Sequence, residues 1–168
     1  MNSYWLDSDV LVYAKDEIAP IGYAEYAGFW SLLERNMAAG VIKITRGNYR
    51  EITENRDADD ELANWLKLQL RKTFCVCVAP SKDVQEFVRK IGDYVYSNEQ
   101  LYARHRARFS RGADAWIVGQ AAIDEGTVVT REIPQPTSHD IKIPDLCDHF
   151  DVKRIEFKDL MKTLATKK

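Results

Sequence analysis

Short apolar segments rich in β-forming residues alternate along the chain with longer segments of helical periodicity. The segments predicted to be strands are residues 3–7, 41–44, 74–78, 128–129 and 152–157. The segments predicted to be helices are residues 23–39, 57–71, 99–109, 113–124, 144–150 and 158–164. Two further helices are predicted, one with Asn48 as its N-cap and one capped by Ser81 and Asp83. Because parallel strands need long crossover connections, which are usually helical, this alternation predicts an α/β domain with a largely parallel sheet.

Length and composition are those of an ordinary globular protein. The 168 residues, of which 45% are apolar, are enough for one domain with a buried core, and we expect a single domain over residues 1–168. The net charge of −2 excludes a globally basic nucleic-acid binder, so any nucleic-acid contact must come from a local patch. The cysteines, Cys75, Cys77 and Cys147, lack zinc-ligand spacing and indicate reduced, buried thiols. We expect neither a signal peptide nor a membrane-spanning helix, and therefore a cytoplasmic location.

Four acidic residues border apolar segments at predicted element ends: Asp7, Glu51, Asp114 and Glu132. Asp7 and Glu132 follow predicted strands, whereas Asp114 and Glu51 lie near the starts of predicted helices. Because functional groups collect beyond the carboxyl ends of parallel strands, all four can face one crevice. Gathered carboxylates repel one another and favour cations, and hard oxygen ligands suit Mg²⁺ or Mn²⁺. The pattern therefore indicates a metal site that can activate water and hold a phosphate.

Each of these acids also has an ordinary structural interpretation. Asp114 follows a glycine–alanine pair and can serve as the N-cap of its helix. Glu51 lies in a stretch rich in acidic residues, where a solvated helix face is common, and Glu132 can be a loop residue. Asp7 is the hardest to explain in this way, because it interrupts an apolar run that should be buried.

Several motifs, in the right order, resemble those of the PIN-domain proteins, the nuclease fold of the VapC-type toxins of bacterial toxin–antitoxin pairs. The opening hydrophobic-Asp-Thr/Ser-Asn-hydrophobic signature of that family is similar to LDSDVLV at residues 6–12. Its later Asp-x-x-Ile-x-x-x-Ala helix is similar to residues 114–121, and its Val-Thr-x-Asp strand end to residues 129–132. Residues 49–52 and 142–147 match a PIN-like branch of uncharacterised bacterial proteins. The resemblance covers nearly the whole chain.

The resemblance implies a PIN-like three-layer α/β/α fold with a central, mostly parallel sheet. It further implies that Asp7, Glu51 and Asp114 are the core ligands of Mg²⁺ or Mn²⁺, with Glu132 in the fourth acidic position. Asp9 stands where many PIN domains have Asn, which makes it a fifth candidate ligand. Glu132 stands where Asp is common and is one methylene longer.

Two hydroxyl residues match polar positions of the PIN-domain family. Ser8 stands at the Thr/Ser position that follows the first Asp, and Thr130 at the polar position near the end of the later strand. The resemblance implies that Ser8 orients Asp7 or a phosphate, and that Thr130 lies beside the site. We therefore count both as candidate substrate-binding residues.

A strongly basic segment immediately precedes Asp114. Its candidate phosphate-binding residues are Arg104, Arg106, Arg108 and Arg111. Cations at this position would hold the phosphates of a substrate and offset the acidic cluster. The ordinary alternative is a solvated basic helix face.

Together, the residues and the resemblance indicate a metal-dependent endoribonuclease, with a role as the toxin of a toxin–antitoxin pair. The partners implied are an RNA substrate, an antitoxin protein and a second copy of the chain. One alternative is a PIN-like domain that binds RNA or protein without cutting. The other is a haloacid-dehalogenase-like phosphatase, because Asp7 and Asp9 resemble the Asp-x-Asp-x-Thr/Val opening of those enzymes. Leu11 stands in the Thr/Val place of that motif, and no convincing later Gly-Asp-x-x-x-Asp pair follows.

Overall fold

Strands and helices alternate along the chain, with most elements close to their predicted positions. The structure is a computed structural model that describes residues 2–54, 57–110 and 112–166. Its strands are β1 (Tyr4–Leu6), β2 (Ile42–Lys43), β3 (Thr127–Val129) and β4 (Lys153–Ile155). Its α-helices are α1 (Ser8–Tyr13), α2 (Ala27–Ala38), α3 (Arg46–Thr53), α4 (Glu61–Leu70), α5 (Lys82–Ser97), α6 (Ala103–Phe109), α7 (Asp114–Ile123), α8 (Ile143–His149) and α9 (Phe157–Thr166). A π-helical turn, Ala14–Ile18, extends α1, and a 3-10 turn, Ala24–Tyr26, precedes α2.

The strands form one parallel sheet in the order β2-β1-β3-β4. Strand β1 is interior, so that Tyr4 pairs with Ile42 on one side and with Thr127 on the other. Strand β3 continues the sheet, with Val128 opposite Arg154 of β4. The predicted α/β class with a parallel central sheet is therefore confirmed.

Apolar clusters cover both faces of this sheet. Successive strand residues point to opposite faces, so Tyr4 and Leu6 belong to one cluster and Trp5 to the other. The helices that contribute buried side chains to the first cluster are α1, α2, α3, α4 and α9. The helices that contribute to the second are α5, α6, α7 and α8. Helices thus lie on both sides of the sheet, which is the three-layer arrangement that the resemblance implies.

The strand predicted at residues 74–78 is wrong in its extent. Only Val78 forms a bridge there, in parallel with Thr45, while the preceding residues turn. Cys77 has a φ of 65°, in the left-handed region, and this conformation interrupts an extended segment. Cys75 and Cys77 are free and half-buried, so only Cys147 is the buried thiol that the sequence predicts.

Several helix starts also differ from prediction, since α2 begins at Ala27 rather than at residue 23 and α4 at Glu61 rather than at residue 57. Thr45, not Asn48, is the N-cap of α3, because the Thr45 hydroxyl accepts a hydrogen bond from the Asn48 N–H at 3.1 Å. Asn48 therefore lies inside the helix, at its third position. The basic helix α6 begins at Ala103 rather than at residue 99, and α1 was not predicted. The cap at Ser81 is confirmed, since its hydroxyl accepts from the Val84 N–H at 3.2 Å.

A membrane-spanning helix needs about 20 consecutive, mostly apolar residues. Across residues 2–54, 57–110 and 112–166, no helix has both the length and the apolar character needed to cross a bilayer.

Candidate active site

The sheet order creates a crevice at the carboxyl ends of β1 and β3. The chain leaves β1 for β2 on one side and later returns to place β3 on the other side. In open α/β sheets, ligands bind at such a switch point. Asp7 immediately follows β1 and Thr130 immediately follows β3, and the Asp7 N–H donates to the Val129 carbonyl at 3.0 Å. Both side chains are thereby fixed at this point.

Asp7 is a buried carboxylate whose side-chain hydrogen-bond partners among the described residues are uncharged. Its side chain is only 6% exposed, which leaves little contact with water. The Thr130 hydroxyl donates to one oxygen at 3.1 Å. The Asn48 amide and the Ser8 hydroxyl lie 3.4 and 3.5 Å from the other. Thr130 and Asn48 therefore orient the carboxylate without neutralising its charge.

The surroundings of Asp7 disfavour its ionised form. Burial and the negative charge of Asp114 raise the pKa of Asp7 from 3.8 to about 7, and the charges of Glu132 and Asp9 act in the same direction. The hydrogen bond from Thr130 opposes the rise. An approaching cation would relieve this repulsion and displace the proton.

Asp114 occupies the first turn of α7 but does not cap the helix. Ala113 holds the N-cap position, and no side chain of the described residues caps that helix. Within the described parts of the chain, the Asp114 carboxylate has no hydrogen-bond or ion-pair partner. The ordinary interpretation of Asp114 as an N-cap is therefore wrong, and its carboxylate remains available to a ligand.

The pKa of Asp114 is also raised, to about 6. Burial is the largest cause, followed by the negative charges of Glu132 and Glu51. Lys142 and Arg108 act in the opposite direction. Since each acid influences another, the four predicted acidic residues form one electrostatically coupled group.

Glu51 approaches the group from the exposed side, on α3. The Ser8 hydroxyl donates to a Glu51 oxygen at 2.7 Å, so Ser8 links Glu51 to the edge of Asp7. The position of α3 depends on a close helix contact at its start. A Cβ atom added to Gly47 would lie 2.9 Å from the Cβ of Ala113, immediately before Asp114.

Glu132 and Asp9 already have polar partners. One Glu132 oxygen accepts the Ile143 N–H at 2.7 Å, and the other lies 3.7 Å from the Lys142 ammonium. Asp9 pairs with Arg131 at 2.9 Å. Glu132 therefore anchors the start of α8 as well as contributing negative charge, and Asp9 forms an exposed ion pair with Arg131.

The donor chemistry of the group fits a hard divalent cation. It consists of carboxylate and hydroxyl oxygens, and the buried Asp7 and half-buried Asp114 have raised pKa values with no basic side chain of the described residues in contact. As the side chains stand, no three Asp, Glu, His or Cys residues of the described chain converge closely enough to ligate one ion. Asp7, Asp114 and Glu51 are the residues that could hold such an ion.

Comparison with known proteins identifies the family of this chain and a solved structure of similar fold. Residues 4–167 match the family model described as Domain of unknown function (DUF4411). The chain belongs to the DUF4411 family. No curated protein matches it. Its fold is similar to a chain of VapBC2 from Rickettsia felis, in a crystal structure bound to a DNA fragment from their promoter, with a TM-score of 0.55 and 15% identity. The match covers 92% of this chain and 98% of that one.

This structural likeness concerns the fold alone. It confirms the PIN-like arrangement that the sequence motifs implied for this DUF4411 protein, with a parallel sheet between layers of helices.

The arginines of the basic segment are largely committed to contacts within the protein. Arg106 donates to the carbonyls of Tyr96 and Asn98, at 3.2 and 3.4 Å. Arg108 donates to both oxygens of Asp140, at 2.7 Å each. Arg108 is close enough to Asp114 to oppose the rise of its pKa, whereas Arg106 ties α6 to the end of α5.

Of the two remaining arginines, Arg104 and Arg111, the structure describes only the first. The Arg104 guanidinium lies 5.1 Å from the ring centroid of Tyr102 and is exposed. Arg111 lies outside the described residues. Phosphate binding by Arg104, Arg106, Arg108 and Arg111 stays a prediction.

Two residues of the group were missed by sequence reasoning. Asn48 reaches Asp7 because Thr45 takes the cap and places Asn48 one turn further into α3. The Thr45-x-x-Asn48 spacing is the signal that could have found it. Lys142 lies 3.4 Å from Asp140 and 3.7 Å from Glu132, and its proximity to the acids has no local sequence signal.

Proposed function

We propose that this protein is a metal-dependent endoribonuclease that hydrolyses RNA phosphodiester bonds. The observation that carries the proposal is the buried Asp7 beside Asp114, both with raised pKa values, at the switch point of a PIN-like sheet. Asp7, Glu51 and Asp114 would hold Mg²⁺ or Mn²⁺, which when bound lowers the pKa of water and stabilises phosphate charge.

The remaining residues of the group have supporting roles in this proposal. Thr130 and Asn48 hold the Asp7 carboxylate in one orientation, and Ser8 positions Glu51 or contacts a phosphate. Glu132 and Asp9 add negative charge around the ligands and stand as further candidate ligands. Proton transfer to the leaving oxygen needs a group at the rim, and Lys142 is the described cation beside Glu132.

A biological role as a toxin is a further part of the proposal. The fold is shared with a chain of VapBC2, whose structure was solved on DNA from their promoter. By analogy, we propose a protein antitoxin that binds and inhibits this chain, a homodimeric assembly and a cytoplasmic site of action. Expression of the chain alone should arrest growth, and co-expression of the neighbouring gene product should relieve the arrest.

The activity is tested by incubating purified protein with cellular RNA and sequencing the cut ends. We expect cleavage with Mn²⁺ or Mg²⁺ and none with EDTA. Asp7→Asn and Asp114→Asn should each slow cleavage by at least about two orders of magnitude, the scale for loss of a catalytic group. Asp93→Asn, on the exposed face of α5, is the matched control and should cut normally.

Two results would contradict the proposed nuclease activity. Cleavage that survives Asp7→Asn would assign the activity to a contaminant or to another site. RNA binding without any metal-dependent cleavage would favour the alternative of a non-catalytic PIN-like domain.

A further inference from the structure

A second pocket lies directly beside the acidic site, between α3 and α7. Its volume is about 220 Å³. Its principal lining residues are Arg46, Arg50, Val78, Pro80, Trp116 and Gln120. The space is smaller than the roughly 300–1,000 Å³ of pockets for drug-sized ligands, so it suits one small planar group rather than a peptide helix.

Trp116 differs from the other tryptophans of the chain. Trp5, Trp30 and Trp65 are at most 9% exposed, and each belongs to an apolar cluster. Trp116 is partly exposed and belongs to neither cluster of the described residues. Core packing therefore does not account for this aromatic ring, which forms part of the wall of an open pocket.

Two arginines lie on the opposite wall of the pocket. Arg46 and Arg50 are exposed and one helical turn apart, so they project from the same side of α3. Arg50 lies 3.3 Å from Glu54, but both side chains are about 60% exposed, and such a pair contributes little. The Arg46 guanidinium has no hydrogen-bond or ion-pair partner in the described part of the chain. Arg46 is therefore available to a phosphate, and Arg50 is held only by an exposed ion pair.

The pocket and the acidic site share the same two helices. On α3, Arg50 and Glu51 are consecutive and project about 100° apart, on either side of the direction of Gly47. On α7, Asp114 and Trp116 likewise lie on opposite sides of Ala113, the residue that Gly47 contacts. The close contact between the helices therefore separates two adjoining sites, one acidic and one basic with an aromatic wall.

We propose that this pocket binds one nucleotide of single-stranded RNA next to the phosphate that is cut. The base stacks on Trp116, and the flanking phosphates pair with Arg46 and Arg50. Proteins that bind single strands combine these two elements, an aromatic platform and a basic track. The inference rests on the proposed nuclease function, and it identifies a single-stranded segment as the substrate.

Fluorescence provides a readout that does not depend on cleavage. Because the other tryptophans are buried, quenching of the intrinsic fluorescence by a bound base reports on Trp116. We use an unlabelled single-stranded RNA oligomer of mixed sequence, in the Asp7→Asn background, so that the RNA stays intact. The oligomer should quench the emission, and Trp116→Phe should remove the quenching while retaining most of the RNA affinity.

Affinity measurements test the base and the phosphates separately. Trp116→Ala should weaken binding of the oligomer about tenfold, the scale of one base–aromatic stack. That loss of affinity should disappear with an oligomer in which the nucleotide bound at Trp116 lacks its base. Arg46→Ala and Arg50→Ala should each weaken binding and reduce its salt dependence. Arg35→Ala, an exposed arginine of α2, should change neither.

Three outcomes separate this proposal from its rivals. Equal affinity of Trp116→Ala and its parent, with wild-type protein that cuts RNA, would overturn the subsite and leave the nuclease intact. Trp116-dependent RNA binding by wild-type protein that never cuts would overturn the nuclease and support the subsite. Quenching by a polyglutamate peptide but not by RNA would overturn the subsite and assign the pocket to an acidic protein partner.

Discussion

Asp7 is a carboxylate held in place by neutral donors, and its ionisation destabilises the metal-free fold. Thr130 and Asn48 supply hydrogen bonds, while Asp114 supplies repulsion. An amide at the same position keeps the shape of the side chain and removes its charge. A single substitution can therefore measure both the free-energy cost of the Asp7 charge to folding and the contribution of that charge to cleavage.

Stability without metal should fall as the pH rises. The pKa of Asp7 is about 7 in the folded protein and 3.8 as its ordinary value, so the folded state binds more protons between these limits. The free energy of unfolding then decreases with pH across that window and the loss is complete above it. Asp7→Asn should raise this free energy at pH 8 by roughly 1–3 kcal/mol. Urea unfolding in EDTA at pH 5 and 8 measures both effects.

The matched control for this experiment is Asp93→Asn, an exposed residue of α5. It should leave the pH dependence unchanged. A lower stability of Asp7→Asn than of wild type at pH 8 would contradict the proposed electrostatic cost.

Glu132 combines an anchoring contact with a candidate role in catalysis. Glu132→Gln retains an oxygen that can accept the Ile143 N–H, so its melting temperature should stay near that of wild type. Its cleavage rate should fall, because one negative charge is lost from the group. Glu132→Ala should lose roughly 1–2 kcal/mol of stability, since it leaves that N–H without its acceptor. Full cleavage by Glu132→Gln would restrict this residue to anchoring.

At the scale of elements, local patterns predict the strands and helices but not the conformations that tertiary contacts select. Thr45 and Asn48 are both good N-caps, and in the structure the Thr45 hydroxyl accepts the Asn48 N–H. Residues 74–78 have strand propensity, yet the left-handed conformation of Cys77 stops the strand. Neither choice is visible in hydrophobic periodicity.

The contact between α3 and α7 sets the spacing of the site. Gly47→Ala would place a Cβ atom 2.9 Å from that of Ala113, too close for an ordinary contact, so the helices must separate. We expect cleavage to fall at least tenfold, while most of the stability remains, because Glu51 and Asp114 move apart. A steady-state cleavage assay with thermal unfolding measures both.

Gly28→Ala is the matched control for the helix contact. A Cβ atom at Gly28 of α2 meets nothing within 4 Å, and alanine favours a helix, so this variant should cut normally and be no less stable. Normal cleavage by Gly47→Ala would show that the spacing of α3 and α7 does not matter to the site.

At the scale of the whole molecule, the strand order brings together acids that are more than a hundred residues apart in sequence. The rule that groups collect beyond parallel strand ends is enough to predict that Asp7 and Glu132 share a crevice. The rule does not predict which cations lie nearby. Arg106 is tied to carbonyls at the end of α5, and Arg108 to Asp140 in a loop more than thirty residues away. Lys142 likewise reaches the site without a local sequence signal.

The central claim is that these acids form one site for a divalent cation, and calorimetric titration with Mn²⁺ tests it most directly. Wild-type protein at pH 6 should show saturable binding and release protons, since metal displaces the protons that Asp7 and Asp114 still retain at that pH. Asp7→Asn and Asp114→Asn should each weaken that binding at least tenfold, whereas Asp93→Asn should not. Absence of saturable binding at millimolar Mn²⁺, or binding unchanged in both site variants, would contradict the claim.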